Sequence, residues 1–203
     1  MSKTAAMLLS TAPRLILAST SPYRRSLLER LGLAFEVVAP QVDETPASGE
    51  SPAALARRLA RAKAHAVAAT APAAVVIGSD QVAELDGLPV NKPVTHEAAR
   101  AQLRMLSGRT VRFHTAMAVI RLDPAHAVEA EVVTDVRYRI LDDAAIERYL
   151  LRDTPYGCAG SAKIEGLGIV LTEAIHGDDP TALVGLPLIA LTGCLPGFGI
   201  AVL

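Results

Sequence analysis

Tryptophan is absent from this 203-residue chain and cysteine occurs only twice. Cys158 and Cys194 lie far apart, which matches neither the CxxC spacing of a metal site nor the disulfide framework of a small secreted protein, so a reduced, cytoplasmic setting is expected. Hydrophobic residues make up 51% of the chain, yet no apolar run approaches the ~18 to 20 residues that a membrane span needs. A soluble protein with no membrane partner is therefore expected. Neither sign of charge dominates, since 20 Lys and Arg against 21 Asp and Glu leave a net charge of -1. That balance gives no general attraction for nucleic acid or an anionic membrane, so any anion must be bound by a local cluster. The GxxxxGK[ST] phosphate loop is missing, "GLGIVL" lacks the third glycine of a dinucleotide fingerprint, and the five histidines show no HExxH spacing. Each histidine reads as structural or solvent-facing.

A chain of this length buries about 70% of the surface that its unfolded form exposes, so a substantial core is expected. Residues 1–13 read as a short extension or a misplaced start, and 14–203 as a single domain with two lobes. "RLILAS" (14–19) reads as a buried strand. "TSPYRRSLLERLG" (20–32) reads as a helix with Ser21 as N-cap, Pro22 at its first position and Gly32 past its end. A strand over 34–40, a second Ser-Pro-initiated helix over 51–70 and the strand "AAVVIGSD" (73–80) complete a β-α-β-α-β pattern, which predicts an α/β sheet covered by helices. A helix over 95–108, an antiparallel pair around "DPAHAV" and a helix over 142–153 capped by Asp142 follow. "TPYGCAGSAKIEGLG" is a glycine-rich loop leading into the strand "IVLTEAI", Asp178 and Asp179 read as turn formers, and a last helix runs to about Leu195.

Several charges look misplaced for a bland surface. Arg24 and Arg25 fall in the first turn of a helix, where the dipole disfavours cations by a few tenths to ~1 kcal/mol each. Either they are solvated or an anion compensates them, and a phosphate would take backbone N–H groups, hydroxyls from Ser19 or Ser21, and both guanidinium forks together. In helix 51–70, Leu55, Leu59, Ala62 and Ala66 share a face, while Arg57, Arg58 and Arg61 face the other way. Lys63 lies about 40° beyond Leu59, either snorkelling or reaching the sheet edge. Asp80 stands where a buried strand is expected to end, and Glu44 and Lys92 also lie just after expected strands. Such carboxylates suit Mg or Mn, and such lysines suit phosphate oxygens.

These pieces, "LASTSPYRRSLLERLG", "VDE", Lys63 with its flanking alanines, "IGSDQV", "KP", "LSG" and "GLPLIAL", occur in an order that resembles the Maf family of nucleotide pyrophosphatases from about Leu15 to Leu195. "CAGSAKIEGLG" and "GDDPTALVGLPLI" are similar to the branch acting on 7-methyl-GTP; the branch hydrolysing dTTP and UTP typically has Gln where Glu165 stands. Two departures are evident. Val111 holds the place of a histidine that many members carry after "LSG", with His114 three later, and Thr115-Ala116 replaces a frequent Thr-Gly.

The resemblance implies a central mixed β-sheet flanked by helices, with two lobes around a deep cleft. It implies hydrolysis of a nucleoside triphosphate to the monophosphate and pyrophosphate with a divalent cation, Mg or Mn. Carried over residue by residue, it implies Asp80 as catalytic base or metal ligand and Glu44 on the metal side. Ser19, Arg24, Arg25, Lys63 and Lys92 then bind phosphate, and Tyr23, Gln81 and Glu165 choose the base. A glutamate at 165 can accept from the N1–H and exocyclic amine of guanine, which no pyrimidine edge matches, and a cationic 7-methylguanine stacked on Tyr23 gains ~0.5 to 2 kcal/mol. The expected partner is a small nucleotide, with no nucleic acid, and a homodimer is left open. The competing expectations are the dTTP/UTP activity and a non-catalytic nucleotide-binding regulator of cell division.

Overall fold

The computed structural model describes residues 13–203, so the expected extension lies outside the described residues except for Pro13. Seven strands form one mixed sheet, with helices on both faces. In chain order, β1 (Leu15–Ala18), α1 (Pro22–Glu29), β2 (Glu36–Val38), α2 (Pro52–Ala68) and β3 (Val75–Leu85) build a parallel unit in which β1 lies between β2 and β3. Next come β4 (Leu88–Val90), α3 (His96–Leu106) and the hairpin β5 (Thr110–Leu122) and β6 (Ala125–Tyr138). Finally α4 (Asp143–Asp153), β7 (Thr172–Gly177) and α5 (Leu188–Cys194) finish the chain. The sheet order is β2-β1-β3-β5-β6-β7, with β4 paired to β3. No helix among the described residues is long and apolar enough to cross a membrane.

Local capping starts the helices where the sequence places them. The hydroxyls of Ser21, Ser51 and Thr95 accept from the backbone N–H three residues on, and Pro22 and Pro52 occupy first-turn positions where a missing N–H costs nothing. Asp142 does the same for α4 through Oδ1.

Alternation along the strands sends two sets of side chains to two faces. Leu15, Leu17, Val75 and Ile77 pack with α1, α5 and Phe198, whereas Ile16, Ala18 and Val76 pack beneath α2. The face of α2 that enters the core is rotated from the expected stripe. Ala56, Ala60 and Ala64 are fully buried, while Ala62 and Ala66 are only partly covered. Alanine at nearly every turn leaves the phase undetermined in the sequence, and Gly78 determines it. A Cβ there would lie 2.3 Å from Ala60 O and 2.6 Å from Ala64 N, so α2 rides directly on the backbone of β3.

Two expected elements differ. β3 does not stop at Asp80 but runs five residues further to Leu85, because β5 pairs with it through Glu84. Residues Ile169–Leu171, expected to open a strand, form a tight 3-10 turn over Leu167–Leu171, and β7 starts at Thr172. Leu171 is the one residue of those three that is buried, so the turn seats one side chain where a strand would have had to cover two.

Candidate active site

The strand that carries Asp80 changes partners beside it. On one edge of β3 the ladder to β1 ends with Gly78 opposite Ala18, and pairing to β4 resumes only at Ala83, opposite Val90. Ser79 to Val82 therefore have no strand on that edge, and a cavity of about 380 Å³ opens there. That volume is within the range of about 300–1,000 Å³ usual for small-molecule sites. Ligands in α/β sheets collect at such breaks because departing loops and helix starts converge there.

At one end the cavity is lined by Ser19, Arg24, Glu44, Lys63, Asp80 and Lys92. Lys63 is 6% exposed and Asp80 8% exposed. The Lys63 Nζ donates to Asp80 Oδ1 at 2.6 Å and to Glu44 Oε1 at 2.7 Å, so one ammonium draws both carboxylates to one point. Its hydrogen bond holds the Glu44 carboxyl below the usual carboxylate range, aided by Lys92 and Arg24. Arg24 Nε donates to Gly185 O at 2.8 Å, and among the described residues Arg24 forms no ion pair. Burial pulls its pKa below the ordinary guanidinium value, and Asp80 and Glu44 oppose the shift. Ser19 Oγ accepts from Ser21 N–H at 3.1 Å and so fixes the turn before α1.

Arg25 is not brought in. It lies on the exposed side of α1, where its Nε donates to Glu29 Oε1 at 2.9 Å. One residue of helix separates it from Arg24 by about 100°, which is enough to put one inside and one outside.

The other end of the cavity carries Tyr23, Gln81, Phe113, Cys158, Ile164 and Glu165. Burial, then the neighbouring Cys158, push the Tyr23 phenol up to about 12, so it is a neutral ring and donor at physiological pH. The Cys158 thiol, 3.9 Å from the Tyr23 oxygen, is itself raised by burial. Glu165 stands exposed at the rim. Gln81 Nε2 lies 2.9 Å from Thr115 Oγ1 and Ala182 O and 3.1 Å from Leu183 O, so its amide nitrogen is fully used in holding the 182–185 turn. Only its Oε1 is left for a ligand.

Sequence reasoning missed the part played by that turn. Gly185 O receives both Arg24 Nε and Ser79 Oγ, the latter at 2.9 Å, and Gly185 has φ +121°, which excludes a side chain without strain. Asp179, expected as a turn former, is 2% exposed and locks the segment further. Its Oδ1 accepts from Thr181 N–H and its Oδ2 from Ile189 N–H, at 2.9 and 2.7 Å. The DDPT stretch carried a signal for this, an Asx pattern ahead of a helix start. Phe113 and Cys158 carried none, since only the tertiary fold aims them at the cavity.

The histidines stay outside. His114 is buried between Glu84 and Glu131, its ring nitrogens 2.8 and 2.9 Å from their oxygens, and Arg57 pairs with the same Glu131. Among the described residues no three His, Cys, Asp or Glu side chains converge as a metal cluster.

The fold is thus an α/β protein whose cavity lies at a strand break and is lined by Arg24, Lys63 and Lys92, by the carboxylates of Asp80 and Glu44, and by the rings of Tyr23 and Phe113. The chain belongs to the Maf family: the profile of the Maf-like proteins matches residues 14–198. It is 58% identical over 188 residues to the 7-methyl-GTP pyrophosphatase of Bordetella avium, covering 93% of this chain and 94% of that protein. The protein of the same name from Bordetella pertussis is 60% identical over 188 residues, with the same coverage. That of Polaromonas sp. is 57% identical over 200 residues, covering 98% of this chain and 91% of its own.

Proposed function

We propose that residues 14–203 form one catalytic unit that hydrolyses the α–β phosphoanhydride of a nucleoside triphosphate, with 7-methyl-GTP preferred, releasing the monophosphate and pyrophosphate. The observation that carries this reading is the Lys63 ammonium bonded at once to Asp80 and Glu44, at 2.6 and 2.7 Å, beside Arg24, which among the described residues has no ion pair. A non-catalytic nucleotide binder has no need to bury a carboxylate such as Asp80 next to phosphate-binding cations, with the exposed Glu44 closing over the same lysine, and the names of the relatives support turnover.

In this reading Arg24, Lys63 and Lys92 neutralise the triphosphate, with Ser19 and the N-terminus of α1 donating to its oxygens. Arg25, on the exposed side of α1 with Glu29, contributes its charge to the phosphate-binding end from outside the cavity. Asp80 accepts the proton of the attacking water or orients it, and Glu44 stands beside it. The donor types fit Mg or Mn: Asp80 Oδ1 and Glu44 Oε1 are on the Lys63 ammonium, which leaves the second oxygen of each carboxylate for a hard cation that takes one or two protein carboxylates and completes its shell with water and substrate phosphates. When bound, such an ion lowers the pKa of water and shares the phosphate charge. At the far end Tyr23 offers its face to the base and Glu165 accepts from the guanine N1–H and amine, while Gln81 adds one acceptor. The cytoplasm is taken as the compartment, since both cysteines are unpaired and the substrate is a free nucleotide.

The test is pyrophosphate release from 7-methyl-GTP, GTP, dTTP and UTP with Mg or Mn. The expected result is turnover led by 7-methyl-GTP that stops when the cation is chelated. Release from none of the four sinks the enzymatic reading, and a profile led by dTTP and UTP reverses the choice of base.

A further inference from the structure

We propose that Gln102 is a positioning residue that couples the two ends of the cavity, holding the segment before Lys92 and the Glu165 loop in one geometry. The inference rests on reading the cavity as a nucleotide site. Gln102 lies on α3, outside the cavity, and through one amide touches Asn91 and Ser161, the residues next to its lining residues Lys92 and Ala162. Its Nε2 donates to Asn91 O at 2.8 Å, and its Oε1 accepts from Ser161 Oγ at 2.5 Å. The chemistry fixes this orientation. A backbone carbonyl at Asn91 requires a donor, which leaves the amide oxygen to the Ser161 hydroxyl.

The two contacts fall at telling places. Asn91 immediately precedes Lys92 at the phosphate end. Ser161 stands midway between Cys158 and Glu165 at the base end, in the turn that reverses the loop. That turn is built rather than casual: Ser161 is fully buried with φ +53°, an uncommon conformation for a residue other than glycine, and Gly160 beside it has φ +72°. A buried hydroxyl needs a partner, and the one that Ser161 has is Gln102.

Other bonds keep the same segments together without Gln102. Val94 N–H donates to Tyr156 O at 3.0 Å, the Tyr156 hydroxyl meets His96 Nδ1 at 2.9 Å, and Tyr138 OH donates to Gly160 O at 2.8 Å. These bonds hold the loop as far as Gly160, and Tyr149 OH accepts from Lys163 N–H at 3.1 Å, so the variants keep the fold while the turn at Ser161 between these anchors is left to Gln102. Gln102 adds a side-chain link from the residue next to Lys92 to the residue that sets the direction of the loop toward Glu165. With the link in place, the span between the phosphate-binding lysine and the base-reading carboxylate is held at one length, so a nucleotide must fit both ends together.

Isothermal titration with two half-ligands, 7-methylguanosine and inorganic pyrophosphate, tests this on the full chain. Ser161→Ala cuts only the base-end contact and is expected to weaken 7-methylguanosine about 2- to 5-fold, the upper figure being the full worth of one hydrogen bond passed on to the ligand through the loop, with pyrophosphate changed less than about 2-fold. Gln102→Ala cuts both contacts and weakens both ligands. The double variant binds 7-methylguanosine like Gln102→Ala alone, because the two residues act through one bond. Unchanged binding of both half-ligands in the single variants overturns the proposal. So does additive loss in the double variant, or an equal loss of both half-ligands in Ser161→Ala with a matching fall in melting temperature. Wild-type protein that binds neither half-ligand defeats the nucleotide reading itself, and the coupling with it, whereas wild-type binding with indifferent variants defeats the coupling alone.

Discussion

At the scale of single residues, the chemistry gathers around a lysine that the fold has buried between two acids. Asp80→Asn keeps the shape and an oxygen for Lys63 to bond, and removes only the charge and the basic lone pair. Turnover of the preferred triphosphate is therefore expected to fall at least about 100-fold, as for loss of a general base, with a melting temperature near that of the wild type. Pyrophosphate release and a thermal melt on the same preparation check this, and substantial remaining turnover removes Asp80 from the role. Lys63 was legible at this scale as a candidate because a helix period of 3.6 put it beside the Leu59 stripe. Its two partners were not, since Glu44 and Asp80 come from separate segments whose meeting depends on how α2 lies over β3.

At the scale of elements, the decisive feature is the closeness of α2 to the sheet. Gly78 has no side chain, and three atoms of α2 would lie within 3 Å of an added Cβ. Two of them are backbone, which cannot swing aside. Gly78→Ala is expected to cost about 3 kcal/mol or more, the upper end of overpacking effects, read as a lower denaturation midpoint. Because α2 carries Lys63, the same change lifts the ammonium away from Asp80, and kcat of the folded fraction falls as well. A variant as stable as the wild type contradicts this account of the packing. Capping was fully legible for these elements: Ser21, Ser51, Thr95 and Asp142 act within three residues of themselves, so no tertiary information was needed. The length of β3 was not legible, because Gly-Ser-Asp-Gln has little strand character of its own and the partner β5 imposes it.

At the scale of the whole molecule, the neutral tyrosines set a limit on alkaline stability. Tyr23 is raised to about 12 and burial also raises Tyr138 and Tyr149, against an ordinary value of 10.0. The unfolded chain loses these protons near pH 10 while the folded chain keeps them. The stabilisation that they contribute is thus complete below about pH 10 and is lost as pH rises through the folded values. Melting temperature is expected to stay level up to about pH 9 and to fall between about pH 10 and 12, with phenolate absorbance appearing along with unfolding. Tyrosines that ionise near pH 10 without loss of the fold contradict it.

The sequence by itself determined the periodic and local features: an α/β order, the helix starts and the set of motifs that identify the Maf family. These depend on neighbours within a turn or two, or on residue types in fixed order. The phase of α2 and the direction of Lys63 were set by the packing of that helix over Gly78. Only the tertiary structure decided that Arg24 faces the cavity while Arg25 faces away. It likewise decided that Gln81 spends its amide nitrogen on the turn at 182–185, and that Gln102 reaches from Asn91 to Ser161. Apart from the local pair of Arg25 with Glu29, the contacts behind those outcomes join residues 11 to 161 apart. No local pattern encodes such a distance, because it is fixed only when the helices have packed and the sheet has set its register.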